Sequence, residues 1–138
     1  MSRILIVDDE VALADALRRV LEREGHEVRV AATGREGARR HREQPADLAV
    51  IDIHMPEMDG LELLVQFRAL APAMPVIVMS GGVQTGGLDL LADARLLGAF
   101  TTLAKPFSID ELLGAVARAL APDPRGSGPD NGADSRGG

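Results

Sequence analysis

Short apolar runs rich in β-branched residues alternate with longer stretches of helical period along residues 1 to 120. The runs are Arg3 to Val7, Glu27 to Ala31, Leu48 to Ile51, Val76 to Met79 and Thr101 to Leu103, each of strand length. After the first, Leu13, Leu17, Val20 and Leu21 recur at i, i+4, i+7 and i+8; after the last, Ile109, Leu112, Leu113, Val116 and Leu120 make a similar stripe. Both stripes predict a helix with one buried face. Thr33 with Glu36, Asp59 with Glu62, and Ser108 with Glu111 have the spacing of a capping box and place helix starts there. Five strand–helix pairs with nearly continuous apolar strands predict a parallel sheet covered by helices on both faces, hence an α/β fold.

The pattern stops at about residue 120. From Ala121 the chain reads APDPRGSGPDNGADSRGG, 18 residues with five Gly and three Pro and no Leu, Ile, Val or Phe. Such a segment cannot bury enough apolar surface to order itself, so residues 1–120 are expected to form the domain and 121–138 a disordered Gly/Pro-rich tail. A chain of 138 residues, 46% hydrophobic and 26% charged, fits one such globular domain.

Charge and composition then narrow the function. Fifteen Lys and Arg against 21 Asp and Glu give a net charge of -6, which disfavours a phosphate-neutralising nucleic-acid surface and favours sites that attract cations. The absence of Cys removes dithiol, thiolate and zinc–sulfur chemistry, and a cytoplasmic address is the expectation. Only Phe67, Phe100 and Phe107 are aromatic, which speaks against stacking on bases. No apolar run reaches the roughly 18 residues of a membrane span. The stretch Ile4 to Val7 meets Asp8, Asp9 and Glu10 at once, so it is no signal-peptide core.

In an open five-stranded sheet ordered 2-1-3-4-5, ligands bind beyond the carboxyl ends of the strands near the reversal of strand order. Strand 1 ends in Asp8 and Asp9, strand 3 runs into Asp52, strand 4 is followed by Ser80, and strand 5 by Lys105 and Pro106. Singly, each has a plain alternative: a helix cap for Asp8 or Asp9, a turn at Asp52, loop filler at Ser80, a solvated charge at Lys105. Together they are harder to dismiss. Three carboxylates at one sheet edge raise one another's pKa, and one ammonium does not neutralise them, so the arrangement calls for a hard divalent cation.

The runs ILIVDDE (Ile4 to Glu10), DLAVIDIHMPEMDG (Asp47 to Gly60), VIVMSG (Val76 to Gly81) and LAKPF (Leu103 to Phe107) carry a resemblance to bacterial two-component response-regulator receiver domains of the chemotaxis-receiver type, here expected to stand alone. The resemblance implies that Asp52 accepts a phosphoryl group from a phosphohistidine on a sensor histidine kinase or phosphotransfer protein. It implies Mg²⁺ held by Asp8, Asp9, Asp52 and the backbone carbonyl of His54. It further implies that Ser80 and Lys105 bind the phosphoryl group, that the peptide before Pro106 is cis, and that the modified surface binds a downstream protein.

Three departures from the family pattern stand out. Thr102 occupies a place usually held by Tyr or Phe, so switching is expected to run through Ser80 and Thr102. The segment Gly81 to Gly87 carries four Gly and is expected to be mobile until phosphate orders it. His54 lies two residues after the acceptor, where its expected part is the carbonyl alone. His26 and His41 are expected at surface positions near helix ends, Arg35, Arg39, Arg40 and Arg42 on a solvated helix face, and Met55, Met58, Met74 and Met79 as gap fillers. Two other functions compete with the partner-binding switch: an Mg-dependent phosphohydrolase with an aspartyl-phosphate intermediate, and a phosphate sink without output. The first is weakened because such hydrolases commonly carry a second Asp where His54 stands. A nucleotide or flavin carrier would want a Gly-rich loop after strand 1, where DDE repels anions.

Overall fold

The computed structural model describes residues 2–54, 60–81 and 90–121. Its elements alternate as β1 (Arg3–Val7), α1 (Val11–Arg23), β2 (Glu27–Ala31), α2 (Gly34–Glu43), β3 (Leu48–Asp52), α3 (Gly60–Leu70), β4 (Val76–Gly81), α4 (Leu90–Leu96), β5 (Thr101–Lys105) and α5 (Ile109–Leu120). The strands form one parallel sheet in the order β2-β1-β3-β4-β5, as the alternation predicts. Strands β3, β4 and β5 each run past the end of their apolar stretch and carry Asp52, Ser80 and Lys105 within them. The ladder supplies the backbone bonds there, so polar side chains do not end the strand.

Period-two alternation divides the core into two layers. Leu5, Val7, Ile51, Val76 and Val78 pack with Ala38 of α2, Leu63, Leu64 and Phe67 of α3, and Ala94 of α4. Ile4, Ile6, Val50, Ile77, Met79 and Leu103 pack with Leu17 and Leu21 of α1 and Leu112, Ala115 and Val116 of α5. Met74 and Met79 lie buried in these layers, as gap fillers should, while Met55 and Met58 fall outside the described residues. The tail beyond Ala121, most of the Gly-rich segment and the Asp59 half of one capping pair also lie outside them.

Helix starts follow the caps, with one modification. Ser108 and Glu111 form a full capping box on α5. At α2 the Thr33 hydroxyl accepts from the Glu36 N–H, but the Glu36 carboxylate accepts from Ala32 N–H and not from the cap residue itself. Ile109, expected in the buried stripe of α5, is 57% exposed: as the first helical residue it stands at the end of the domain, beyond the reach of the sheet.

His41 corrects a second expectation. It is buried, not on the surface, because α2 packs through small residues, Gly34, Gly37 and Ala38, which bring the helix close enough to enclose the ring. A Cβ at residue 37 would lie 2.7 Å from a Val7 methyl, so that close approach depends on Gly37. The His41 ring meets Phe67 edge-on, with centroids 5.4 Å apart, and its Nδ1 accepts from the Ala46 N–H at 3.1 Å. An accepting Nδ1 places the proton of the neutral ring on Nε2.

Burial lowers the His41 pKa from 6.5, so the unfolded chain takes up this proton more readily than the folded one. The resulting stability is present above pH 6.5 and is lost as pH falls through 6.5 towards the folded value. Urea unfolding of the wild type and His41→Leu at pH 7.5 and pH 5 should show the difference between them moving against the wild type on acidification. A constant difference would mean that the ring is not held neutral.

Candidate functional site

The carboxyl ends of β1, β3 and β5 converge on one acidic recess. The Lys105 Nζ lies 3.3 Å from Asp8 Oδ2, 3.2 Å from Asp52 Oδ2 and 3.9 Å from Glu10 Oε1. Carboxylate oxygens of Asp8, Asp9 and Asp52 all fall within 4.8 Å of one another. Asp8 and Asp52 are buried, whereas Asp9 and Glu10 face solvent. The remaining oxygens of the buried pair have backbone partners: Asp8 Oδ1 accepts from Glu10 N–H at 2.9 Å, and Asp52 Oδ1 from His54 N–H at 3.0 Å.

Gly60 lies directly against the backbone at the end of β3. Its N–H donates to the Ile53 carbonyl at 3.1 Å, and a Cβ at this position would sit 2.3 Å from the Asp52 carbonyl oxygen and 2.4 Å from the Ile53 Cα. Both neighbours are backbone and cannot swing aside, so only Gly lets α3 begin directly against the end of β3. The Lys105–Pro106 peptide is cis, as the resemblance implies.

Electrostatics follow from crowding in a dry place. Burial raises the Asp8 pKa to about 6; the Glu10 N–H opposes this, the Asp52 charge adds to it, and Lys105 opposes it. Burial pulls the Lys105 ammonium down, but the charges and hydrogen bonds of Asp52 and Asp8 outweigh it and hold its pKa above the usual value. One ammonium therefore serves two buried carboxylates, and the hard oxygen donors left over suit a hard divalent ion such as Mg²⁺. Because the folded pKa of Asp8 is raised, its contribution to stability belongs to pH below 3.8 and is lost as pH rises through about 6.

Ser80 is buried on β4, with its Oγ 3.5 Å from His54 Nε2. The His54 side chain, expected to have no part, thus lies beside the hydroxyl for which the resemblance implies phosphoryl binding. Thr102 sits farther from the recess on β5, where its Oγ1 accepts from Arg95 Nη2 at 3.2 Å. Glu10 and Gly60 were not singled out by residue type; the first is a neighbour of the Asp pair in sequence, and the second is recognisable only from the tight approach of α3. The four arginines of α2 lie on its outer side as expected, with Arg39 paired to Glu43 at 3.1 Å and Arg40 to Glu36 at 3.0 Å.

Comparison with known proteins gives a consistent picture. The sequence profile described as Response regulator receiver domain matches residues 4–117. Sporulation initiation phosphotransferase F of Bacillus subtilis (strain 168) is 36% identical over 118 residues, 86% of this chain and 93% of that protein. Transcriptional regulatory protein ZraR of Escherichia coli (strain K12) is also 36% identical over 118 residues, 86% of this chain but 26% of that protein. The chain thus spans about a quarter of that longer relative, and the charge argument against nucleic acid applies to this domain and not to such a whole protein. A crystal structure of a response regulator receiver domain protein from Clostridium thermocellum superimposes with a TM-score of 0.80 at 32% identity, covering 87% of this chain and 94% of that one. Among the described residues no helix is long and apolar enough to cross a membrane.

Removing the Asp8 charge should relieve the recess. At pH 7.5 with a chelator present, Asp8→Asn is expected to raise the unfolding free energy by about 1–3 kcal/mol, since one pKa unit corresponds to about 1.4 kcal/mol. Millimolar Mg²⁺ should raise the melting temperature of the wild type and have much less effect on the variant. A variant no more stable than the wild type in chelator would contradict the crowding argument.

Proposed function

Because the chain belongs to the response regulator receiver domain family, phosphoryl-accepting signalling domains of two-component systems, we propose that Asp52 is its phosphoacceptor and that the recess is a phosphorylation-activated switch. The observation that carries this reading is the double contact of Lys105 with Asp8 and Asp52 at the end of the sheet. A carboxylate oxygen of Asp52 forms a bond to phosphorus as the bond from phosphorus to a donor imidazole nitrogen breaks; the imidazole keeps the electron pair. Such transfer is mostly positioning and charge neutralisation. Lys105 already touches the acceptor and is placed to follow the negative charge onto the phosphoryl oxygens. The Ser80 hydroxyl, once it leaves His54, donates to another of them. Asp8, Asp9, Asp52 and the His54 carbonyl would hold Mg²⁺, which would supply further neutralisation.

The product is an acyl phosphate, which water can cleave, so the mark is transient, as a switch requires. A sensor histidine kinase or phosphotransfer protein is the donor in this reading, and a cytoplasmic address goes with it. For the output, the corner between α4 and β5 offers exposed apolar side chains, Leu96 at 86%, Leu97 at 41% and Phe100 at 48%, as a surface for a downstream protein. Thr102 and Ser80 face the same side of the sheet behind that corner and are the switch residues of this reading.

Incubation with Mg²⁺ and acetyl phosphate should add the mass of one phosphoryl group to the protein. Asp52→Asn should abolish the gain, and Lys105→Ala should reduce it by at least about tenfold, the scale expected when a positioned charge is removed. Label on a residue other than Asp52 in the wild type would overturn the assignment.

A further inference from the structure

Helix α4 is short. It has seven residues, and among its described side chains only Ala94 is buried. A side-chain hydrogen bond from Arg95 Nη2 to Thr102 Oγ1, at 3.2 Å, joins α4 to the sheet.

Its placement gives it leverage. Arg95 immediately precedes Leu96 and Leu97, and Thr102 lies two residues after Phe100, so the bond ties together the two stretches that carry the exposed apolar corner. Between them the chain turns on Gly98 at φ +105, with Leu97, Gly98 and Ala99 donating to the carbonyls of Asp93, Arg95 and Ala94. On β5, Thr102 pairs with Val78, and Ala104 pairs with Ser80. Leu103 and Met79 face the α1/α5 layer, so Thr102 and Ser80 face the opposite, common side, two residues apart along the strands.

We propose that Arg95 is a positioning residue for partner binding: its bond to Thr102 clamps α4 onto β5, sets the arrangement of Leu96, Leu97 and Phe100, and connects that surface to the sheet face that carries Ser80. The link to Ser80 rests on Asp52 being the phosphoacceptor; the clamp itself does not. A hydrogen bond also explains how a Thr can serve at this place, since it couples by direction and donor identity and needs no bulk.

Amide hydrogen exchange on the full chain tests both parts. In the unphosphorylated protein, Thr102→Val and Arg95→Met should each speed exchange at Leu97, Gly98 and Ala99 by about fivefold, the change expected for loss of one such bond. Thr102→Ser, which keeps the hydroxyl, should stay within about twofold of the wild type, and amides of α1 should be unaffected in every variant. Exchange in Thr102→Val equal to the wild type, or Thr102→Ser as fast as Thr102→Val, overturns the clamp. After treatment with acetyl phosphate and Mg²⁺, the same three amides should change by about threefold in the wild type and by less than about twofold in Thr102→Val. Equal changes in both proteins overturn the connection to Ser80. Failure of the wild type to gain a phosphoryl group by mass refutes the Asp52 reading instead, and the unphosphorylated comparison still decides the clamp.

Discussion

Like-charge repulsion is the constraint around which this molecule is arranged. Asp8, Asp9 and Asp52 place carboxylate oxygens within 4.8 Å of one another, at distances where two unit charges in a protein-like dielectric repel by a few kcal/mol. No contact among the carboxylates favours that grouping; it is imposed by the sheet. β1 and β3 are adjacent and parallel, with Val7 opposite Ile51, so the residues that follow must emerge side by side. The apolar layers above and below the strands supply the stability that offsets the repulsion. Lys105, brought in from β5 across 97 residues of chain from Asp8, offsets part of it directly.

Strand alternation then gives the two neighbouring acids different states. Asp8 is fully buried and tied to the Glu10 N–H and Lys105, whereas Asp9 points outward to solvent. An inward acid carries the desolvation cost and an outward one remains accessible. A pair such as Asp8–Asp9 at a strand end therefore supplies one fixed and one approachable oxygen donor, which a single acid could not do. The same alternation puts Ser80 on one side of β4 and Met79 on the other, dividing chemistry from packing one residue at a time.

Most of this was legible in the order of residue types. Strand cores were readable because both faces are buried and the apolar runs are unbroken, and the recess was readable because polar residues follow those runs at the carboxyl ends. What escaped reading has physical causes. Strands β3 to β5 continue into their functional residues, so hydrophobicity marks the end too early. Helix α2 buries Gly34, Gly37, Ala38 and His41, and a helix that packs through small residues leaves no apolar stripe to recognise. Ile109 has the period of a core residue but lies past the edge of the layer it would join. Gly60 is defined by the approach of backbone to backbone, and the Arg95–Thr102 bond by a tertiary contact across a turn; neither leaves a periodic trace.

The spacing of elements keeps the recess close to the α4 side of the sheet. Asp52 and Ser80 lie at the carboxyl ends of adjacent strands, and Thr102 lies on the next strand, so the span from Asp52 to α4 crosses only neighbouring strands of one sheet. The packed apolar interior of the sheet resists rearrangement, because it is close-packed and its side chains have few alternative arrangements. At the β4–β5 edge Ala104 is exposed, and Ala94 of α4 is buried. Movement that the centre of the sheet resists can be accommodated at this edge.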